Sequence, residues 1–394
     1  MSLTCEASDL LVFSHLRWNF VFQRPQHLMS RFATFRRVYF IEEPIFHSSD
    51  EAELELHQSK EGVTVVVPHL PEKIGSKDHD FVLQKLLDNL MNEEMIEEYA
   101  AWYYTPMALN FSRHLSPAVT IYDCMDELSK FHGAPRELID REQELLKKAD
   151  LVFTGGYSLY EAKKDKHDNV HPFPSGIDVH HFNTARGNKN DPDDQKHIPH
   201  PRMGFIGVID ERMDVELVRK TAELRPDWNF IMIGPVVKID PASLPKLSNI
   251  HYLGKKDYAD LPKYMAGWDC ALMPFARNEA TRFISPTKTP EYLAAGCPVV
   301  STPIRDVVEP YGNRSLVAIG ETAEEFVAHI EEALDRNKYD AEWLGTVDEF
   351  LKDISWDETW KKMAHLETHH ARLKAMPPGV SNPETMNINF LRGM

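Results

Sequence analysis

Short apolar runs alternate with amphipathic helical stretches along most of this 394-residue chain, and they do so in two separate series. Strand–helix alternation leaves few folds open, because it buries the apolar residues in a parallel sheet covered by helices on both faces. In the first series Leu10–Phe13, Arg37–Ile41, Val63–Val67, Thr120–Tyr122 and Leu151–Thr154 read as strands. Helices are expected over about Gln26–Thr34, Phe81–Met91, Met107–Leu115 and Arg136–Ala149. The second series has strands Met203–Gly207, Asn229–Ile233, Ile250–Leu253, Cys270–Met273 and Pro298–Ser301. Its helices fall near Val215–Leu224, Asp260–Gly267, Pro290–Ala295 and Ala323–Arg336. Between the series, Thr184–Pro201 is polar, contains proline and lacks periodicity, as a linker does. The expectation is an α/β chain of two domains, residues 1–183 and 202–355, joined by 184–201. A Trp-bearing helix, Trp356–Arg372, and an irregular tail from Met376 complete residues 356–394.

A formal charge of −17 argues against nucleic acid as a partner, since phosphate binding needs a basic face. It argues equally against stable adhesion to anionic lipid, although a local basic patch escapes that average and leaves peripheral membrane contact open. The four cysteines are scattered, so neither a disulfide framework nor a zinc site is expected and a reducing cytoplasm is the natural setting. Met1–Asp9 is polar, which predicts no signal peptide, and no apolar run approaches the ~20 residues of a membrane span.

The richest segment is Ser285-Pro-Thr-Lys-Thr-Pro-Glu-Tyr-Leu-Ala-Ala-Gly-Cys-Pro-Val-Val-Ser301. A proline-bounded loop leads into a helix with apolar Tyr292, Leu293 and Ala295, which Gly296 stops before the next strand. Free N–H groups at a helix start favour an anion, and Lys288 adds a mobile positive charge there. Glu291, one turn further, can accept two hydrogen bonds from a sugar diol. The alternative for the same residues is an ordinary loop–helix–strand unit with a surface lysine and a capping glutamate.

This segment resembles the donor-binding motif S-P-x-K-x-x-E-Y-x-A-A-G of family 4 glycosyltransferases, retaining enzymes of the GT-B fold. The resemblance covers about Asp9–Leu366 and is most specific over Gly204–Ser301. It implies two Rossmann-like domains facing across a cleft, with the last helix crossing back onto the first. It also implies a nucleotide-sugar donor, UDP- or GDP-linked, and a hydroxyl acceptor on a sugar, glycolipid or glycan. Ser285, Pro286, Lys288 and Glu291 would bind that donor. No cofactor and no metal are expected, because side chains can neutralise the diphosphate.

Other segments fit the same reading. Gly204-Phe-Ile-Gly207-Val-Ile-Asp210-Glu-Arg212 lies at the first strand–helix turn of the second series, where ligands of open sheets bind. Gly207 would let the backbone approach a diphosphate. The family commonly follows this glycine with an arginine and, some six residues on, a lysine; here Val208 and Asp214 stand in those places. Arg212, Arg282 and Lys288 are then the nearest cations, and Arg212 reads equally as a solvated loop residue. The family's paired glutamates stand eight positions apart; Glu291 matches the second, Phe283 replaces the first, and Glu279 is the neighbouring candidate.

In the first series, His15 ends a strand and Arg24-Pro25 opens a helix, so Arg24 is a candidate anion ligand or a stacking partner of Trp18. Tyr122-Asp123-Cys-Met-Asp126 also resembles the same subgroup. Asp123 could orient hydroxyls or take the acceptor proton, and Asp126 reads as an acceptor ligand or a helix cap. Catalytic roles are thus expected of Asp123, Lys288, Arg282 and His15, and acceptor-side roles of Arg24 and Asp126. Pro174-Ser-Gly-Ile-Asp178 resembles a family turn in which Gly176 would supply a positive φ. A nucleotide-sugar epimerase of the same fold and a non-catalytic nucleotide-sugar binder are the alternatives.

Overall fold

The computed structural model describes residues 9–131, 133–188, 190–335 and 340–376. Arg336, the expected end of one helix, and the tail from residue 377 lie outside the described residues.

The first half is built on β1 (Asp9–Phe13), β2 (Arg37–Ile41), β3 (Ile45–His47), β4 (Glu53–Gln58), β5 (Thr64–Pro71), β6 (Tyr99–Tyr103), β7 (Val119–Cys124), β8 (Leu151–Thr154) and β9 (Val170–Pro172). They form one sheet in the order β3-β5-β2-β1-β6-β7-β8-β9, parallel throughout except for β4, which pairs antiparallel with β5. Successive β1 residues point to opposite faces: Leu10 and Val12 enter one apolar cluster, Leu11 and Phe13 the other. The second half has β10 (Arg202–Ile206), β11 (Asn229–Ile233), β12 (Ile250–Gly254), β13 (Cys270–Met273), β14 (Val299–Ser301) and β15 (Ala318–Ile319). Its parallel order, β12-β11-β10-β13-β14-β15, places β10 centrally and sends the loop after β10 to the carboxyl edge.

The helix Trp356–Ala375 returns to the first half, where Trp356, Trp360 and Met363 join the cluster of Leu10 and Val12. Arg36 and Glu367 seal that contact with a buried two-pronged ion pair at 2.7 and 2.8 Å. At the crossing, the Ile177 amide donates to the Ile354 carbonyl at 2.9 Å.

Several expectations need correction. Met107–Leu115 is not one helix but a 3-10 turn, Pro106–Ala108, followed by the short helix Leu109–Ser112. The helix expected over Phe81–Met91 runs from His79 to Glu93, and Glu94 just beyond it accepts a hydrogen bond from the Tyr39 hydroxyl. Gly176 does not have a positive φ; a Cβ there would lie 2.8 Å from the Trp356 main-chain nitrogen, so close approach requires the glycine. Strands β3, β4, β6, β9 and β15 were not predicted. In β6, Tyr-Ala-Ala-Trp-Tyr is buried on both faces, so it shows no polar–apolar alternation.

Candidate active site

A cleft of about 160 Å³ lies between the halves, walled by Val21–Arg24, Met125, Asp126, Gly155 and Ser175 on one side. The other wall is Phe205–Val208, Arg212, Met213 and the loop Ile284–Lys288, with Met273, Phe275 and Tyr292 behind. The helix after that loop, Lys288–Ala294, ends at Gly296 with φ +76°, as the sequence predicted. Tyr292, expected only to pack, also tethers this helix: its hydroxyl accepts from the Ile206 amide at 2.7 Å at the end of β10. Gly207 forms the cleft wall, and a Cβ on it would lie 2.8 Å from the Phe205 ring.

Each cation of the cleft has a carboxylate partner. Lys288 Nζ contacts the Glu291 carboxylate, and burial pushes the Glu291 carboxyl up while the lysine pulls it down. Glu291 is buried behind Lys288 and does not line the cleft. Arg212 clasps Asp210 with Nε and Nη2 at 2.8–3.1 Å, leaving Nη1 without a hydrogen bond among the described residues. Arg24 is held on two sides: Nε and Nη2 bind Asp123 at 2.8–3.1 Å and Nη1 binds the Phe173 carbonyl at 2.7 Å. Held in this way it lines the cleft with its charge balanced by Asp123, rather than stacking on Trp18. Asp123 is fully buried beneath it, so it fixes Arg24 and presents no carboxylate to the cleft.

Asp126 is the one carboxylate lining the cleft among the described residues, and it does not cap a helix. Burial pushes it up to about 6, against the pull of Arg212. His15 lies outside the cleft lining; burial, reinforced by the charge of Lys238, pushes it down to about 4. Arg282 is misplaced for the expected role. Its side chain is 66% exposed, lies over the Phe283 ring and sits 3.8 Å from Glu279, outside the cleft.

The departures from the family motif have structural reasons. Asp214, where a lysine is usual, caps the helix Val215–Leu224 by accepting from the Leu217 amide at 2.8 Å. Phe283, in place of a glutamate, packs against the apolar cluster of the first half. Glu279, offered as a substitute, instead lies 3.5 Å from Lys130 across the interface. Sequence reasoning missed Asp306, which reaches from the second half to the helix Tyr157–Lys163 and accepts from the amides of Tyr157 (2.8 Å) and Ser158 (3.0 Å). Gly156 makes room for this contact, since a Cβ there would lie 2.1 Å from the Asp306 carboxylate and 2.6 Å from Ser285 Cβ. A single Asp at the start of a short helix gave no signal of its distant partner.

Among the described residues no helix is long and apolar enough to cross a membrane, and no group of three metal-ligating side chains converges.

Residues 200–336, which carry β10–β15 and one wall of the cleft, match the family Glycosyl transferases group 1. A protein of Bacillus subtilis (strain 168) described as a teichuronic acid biosynthesis glycosyltransferase, TuaH, is 28% identical over 305 residues, 71% of this chain and 73% of that one. Among solved structures, the trehalose-6-phosphate protein from E. coli bound with UDP-2-fluoro glucose superposes with a TM-score of 0.68 at 12% identity, over 92% of this chain and 99% of that one. Sucrose-phosphate synthase from Thermosynechococcus elongatus gives 0.65 at 13% identity, over 92% and 98%. Anabaena HepE in complex with UDP gives 0.65 at 12%, over 92% and 100%. The fold is GT-B, and the chain is a glycosyltransferase.

Proposed function

We propose that the protein moves a sugar, with retention of configuration, from a UDP- or GDP-linked donor to a hydroxyl acceptor in polysaccharide or glycoconjugate synthesis. The observation that carries this reading is the cleft between Gly207–Val208 and Ser285–Lys288, where Arg212 Nη1 and Lys288 Nζ are the available cationic donors. It lies in the segment that matches the glycosyltransferase family. In this reading residues 202–355 hold the nucleotide and residues 1–183 present the acceptor.

The reaction breaks the bond between the anomeric carbon and the diphosphate oxygen and forms one to the acceptor oxygen on the same face. Arg212 and Lys288 stabilise the charge that develops on the departing diphosphate, and that diphosphate takes the acceptor proton. No metal is required in this scheme. Epimerisation would need acid and base groups on both sides of the sugar, and the cleft wall offers the single carboxylate of Asp126 among the described residues. The relative linked to teichuronic acid synthesis and the neighbours solved with UDP compounds favour a nucleotide-sugar donor and a glycan product. Incubation with UDP-, GDP- and dTDP-sugars, read by mass spectrometry, tests the reading. Nucleoside diphosphate release with acceptor glycosylation supports it; an isomerised donor, or thermal stabilisation without turnover, replaces it with epimerase or binder.

A further inference from the structure

We propose that the protein carries a second ligand site, outside the cleft, which takes a sugar bearing one anionic group, as a sugar phosphate or a sugar acid does. The site goes beyond the transferase reading and does not depend on it. It is a cavity of about 550 Å³, within the ~300–1,000 Å³ usual for small-molecule sites, where the two halves meet the returning helix. Tyr157 and Phe173 line it from the first half, Tyr311 and Arg314 from the second, and Thr359 and Lys362 from the helix Trp356–Ala375. Ser175 and Ser285 line both this cavity and the cleft, and the Ser175 hydroxyl donates to the Ser285 carbonyl at 3.4 Å, so that contact stands between the two.

The cations of this cavity differ from those of the cleft in having no carboxylate partner among the described residues. Arg314 donates only through Nη1, to the carbonyls of Glu309 (3.4 Å) and Pro310 (3.0 Å), and its guanidinium lies 5.4 Å from the centre of the Phe350 ring. Nε and Nη2 form the edge that grips a carboxylate or phosphate with two parallel hydrogen bonds, and neither has a hydrogen bond among the described residues. Lys362 is exposed and has neither a hydrogen bond nor an ion pair among them. Three carboxylates also line the cavity. Asp306 is engaged by the amides of Tyr157 and Ser158 and by the Ser158 hydroxyl, and Glu309 by Arg305 at 2.9 Å, which leaves Asp353 without a partner among the described residues. Two open cations against one open carboxylate leave a place for a single negative charge.

The rest of the lining suits a sugar. The hydroxyls of Tyr157, Tyr311 and Thr359 have no hydrogen bond among the described residues, although Tyr311 and Thr359 are only 8% and 9% exposed. A buried hydroxyl without a partner is costly, and the hydroxyls of a bound sugar would supply one. The rings of Tyr311 and Phe350 meet edge to face at 5.2 Å, and Tyr157 is 41% exposed, so aromatic surface is available to the C–H side of a sugar.

Calorimetric titration of the full chain without donor tests the site, with glucose 6-phosphate and glucuronate as probes and methyl glucoside and inorganic phosphate as controls. Glucose 6-phosphate or glucuronate should bind at least about tenfold more tightly than either control, and the tighter of the two identifies the anion as phosphate or carboxylate. Arg314→Ala and Lys362→Glu should each weaken that binding about tenfold or more, whereas Arg212→Ala in the cleft should leave it unchanged. Arg314 and Lys362 are exposed, so the fold should persist, with circular dichroism as the check. Absence of binding by both probes, a control that binds as well as the probes, or indifference to both Arg314→Ala and Lys362→Glu overturns the proposal. No nucleotide enters this experiment, so its failure leaves the transferase reading standing, and a failed nucleotide-sugar panel leaves this site standing.

Discussion

Asp306 and Ser158 lie on opposite halves of the molecule, yet the Asp306 carboxylate accepts from both the amide and the hydroxyl of Ser158. The same carboxylate takes the Tyr157 amide, while Ser285 of the cleft loop lies against Gly156. The cleft beside this clasp holds about 160 Å³, less than the ~300 Å³ at the lower end of small-molecule sites, so the halves are expected to part for a nucleotide-sugar.

Asp306→Ala should therefore favour the open arrangement. A lost charge-assisted bond is worth about 1.5–3 kcal/mol. The radius of gyration from X-ray scattering should rise, and nucleotide association should quicken. A variant that scatters and binds like the wild type would remove the clasp from the account.

Lys288 and Glu291 form a buried pair, so replacing either affects more than ligand binding. Lys288→Ala leaves Glu291 buried without its partner and should cost about 3–5 kcal/mol, lowering the melting temperature by several degrees. Turnover should fall by about 10²-fold or more. The double change Lys288→Met with Glu291→Leu should recover much of the stability and none of the activity. Glu291→Gln should change nucleotide affinity only through the Lys288 it holds, read by calorimetry beside Lys288→Ala.

Arg212 and Arg282 should separate cleanly. Arg212→Ala should reduce turnover by about 10²-fold, since Arg212 lines the cleft and its Nη1 has no hydrogen bond among the described residues. Arg282→Ala should leave both turnover and melting temperature near wild type, because surface changes usually cost under ~0.5 kcal/mol. Kinetics of the two single variants decide the matter; a reversed order would return the diphosphate to Arg282.

Asp126 sets a pH dependence. Its carboxyl, held at about 6 in the fold, is neutral below that pH and charged above it. Nucleotide affinity should fall as pH rises through about 6, because a charged Asp126 repels the diphosphate. Its ordinary value is 3.8, so the folded state holds the extra proton and the group's contribution to stability declines between there and about 6. Asp126→Asn should abolish the pH trend in binding and stabilise the protein above pH 6. Isothermal titration and melting curves across pH 5–8 check both.

Chelation should leave turnover intact, since Arg212 and Lys288 are assigned the charge that a metal would supply. Loss of activity in EDTA and its return with Mn²⁺ or Mg²⁺ would refute that assignment.

The two-series layout and the loop–helix–strand unit over Ser285–Ser301 were legible because they depend on neighbours in sequence. Helix Val215–Leu224 and strand Asn229–Ile233 fall where periodicity puts them. The roles of the charged residues were not legible, because their partners lie far along the chain. Arg24 looked like an unpaired cation of the cleft, whereas Asp123 lies beneath it as its partner. Phe283 looked like a missing carboxylate, whereas the fold uses it as an apolar contact between halves. Asp214 was a lost lysine in motif terms and is a helix cap in space.

The return of helix Trp356–Ala375 to the first half has a consequence for biogenesis. A chain emerging from the ribosome makes the first sheet early, but Trp356, Trp360 and the partner of Arg36 arrive only after the second sheet has been synthesised. Until then the first half exposes an apolar face and a buried-to-be arginine. Its folding is completed last although its translation begins first.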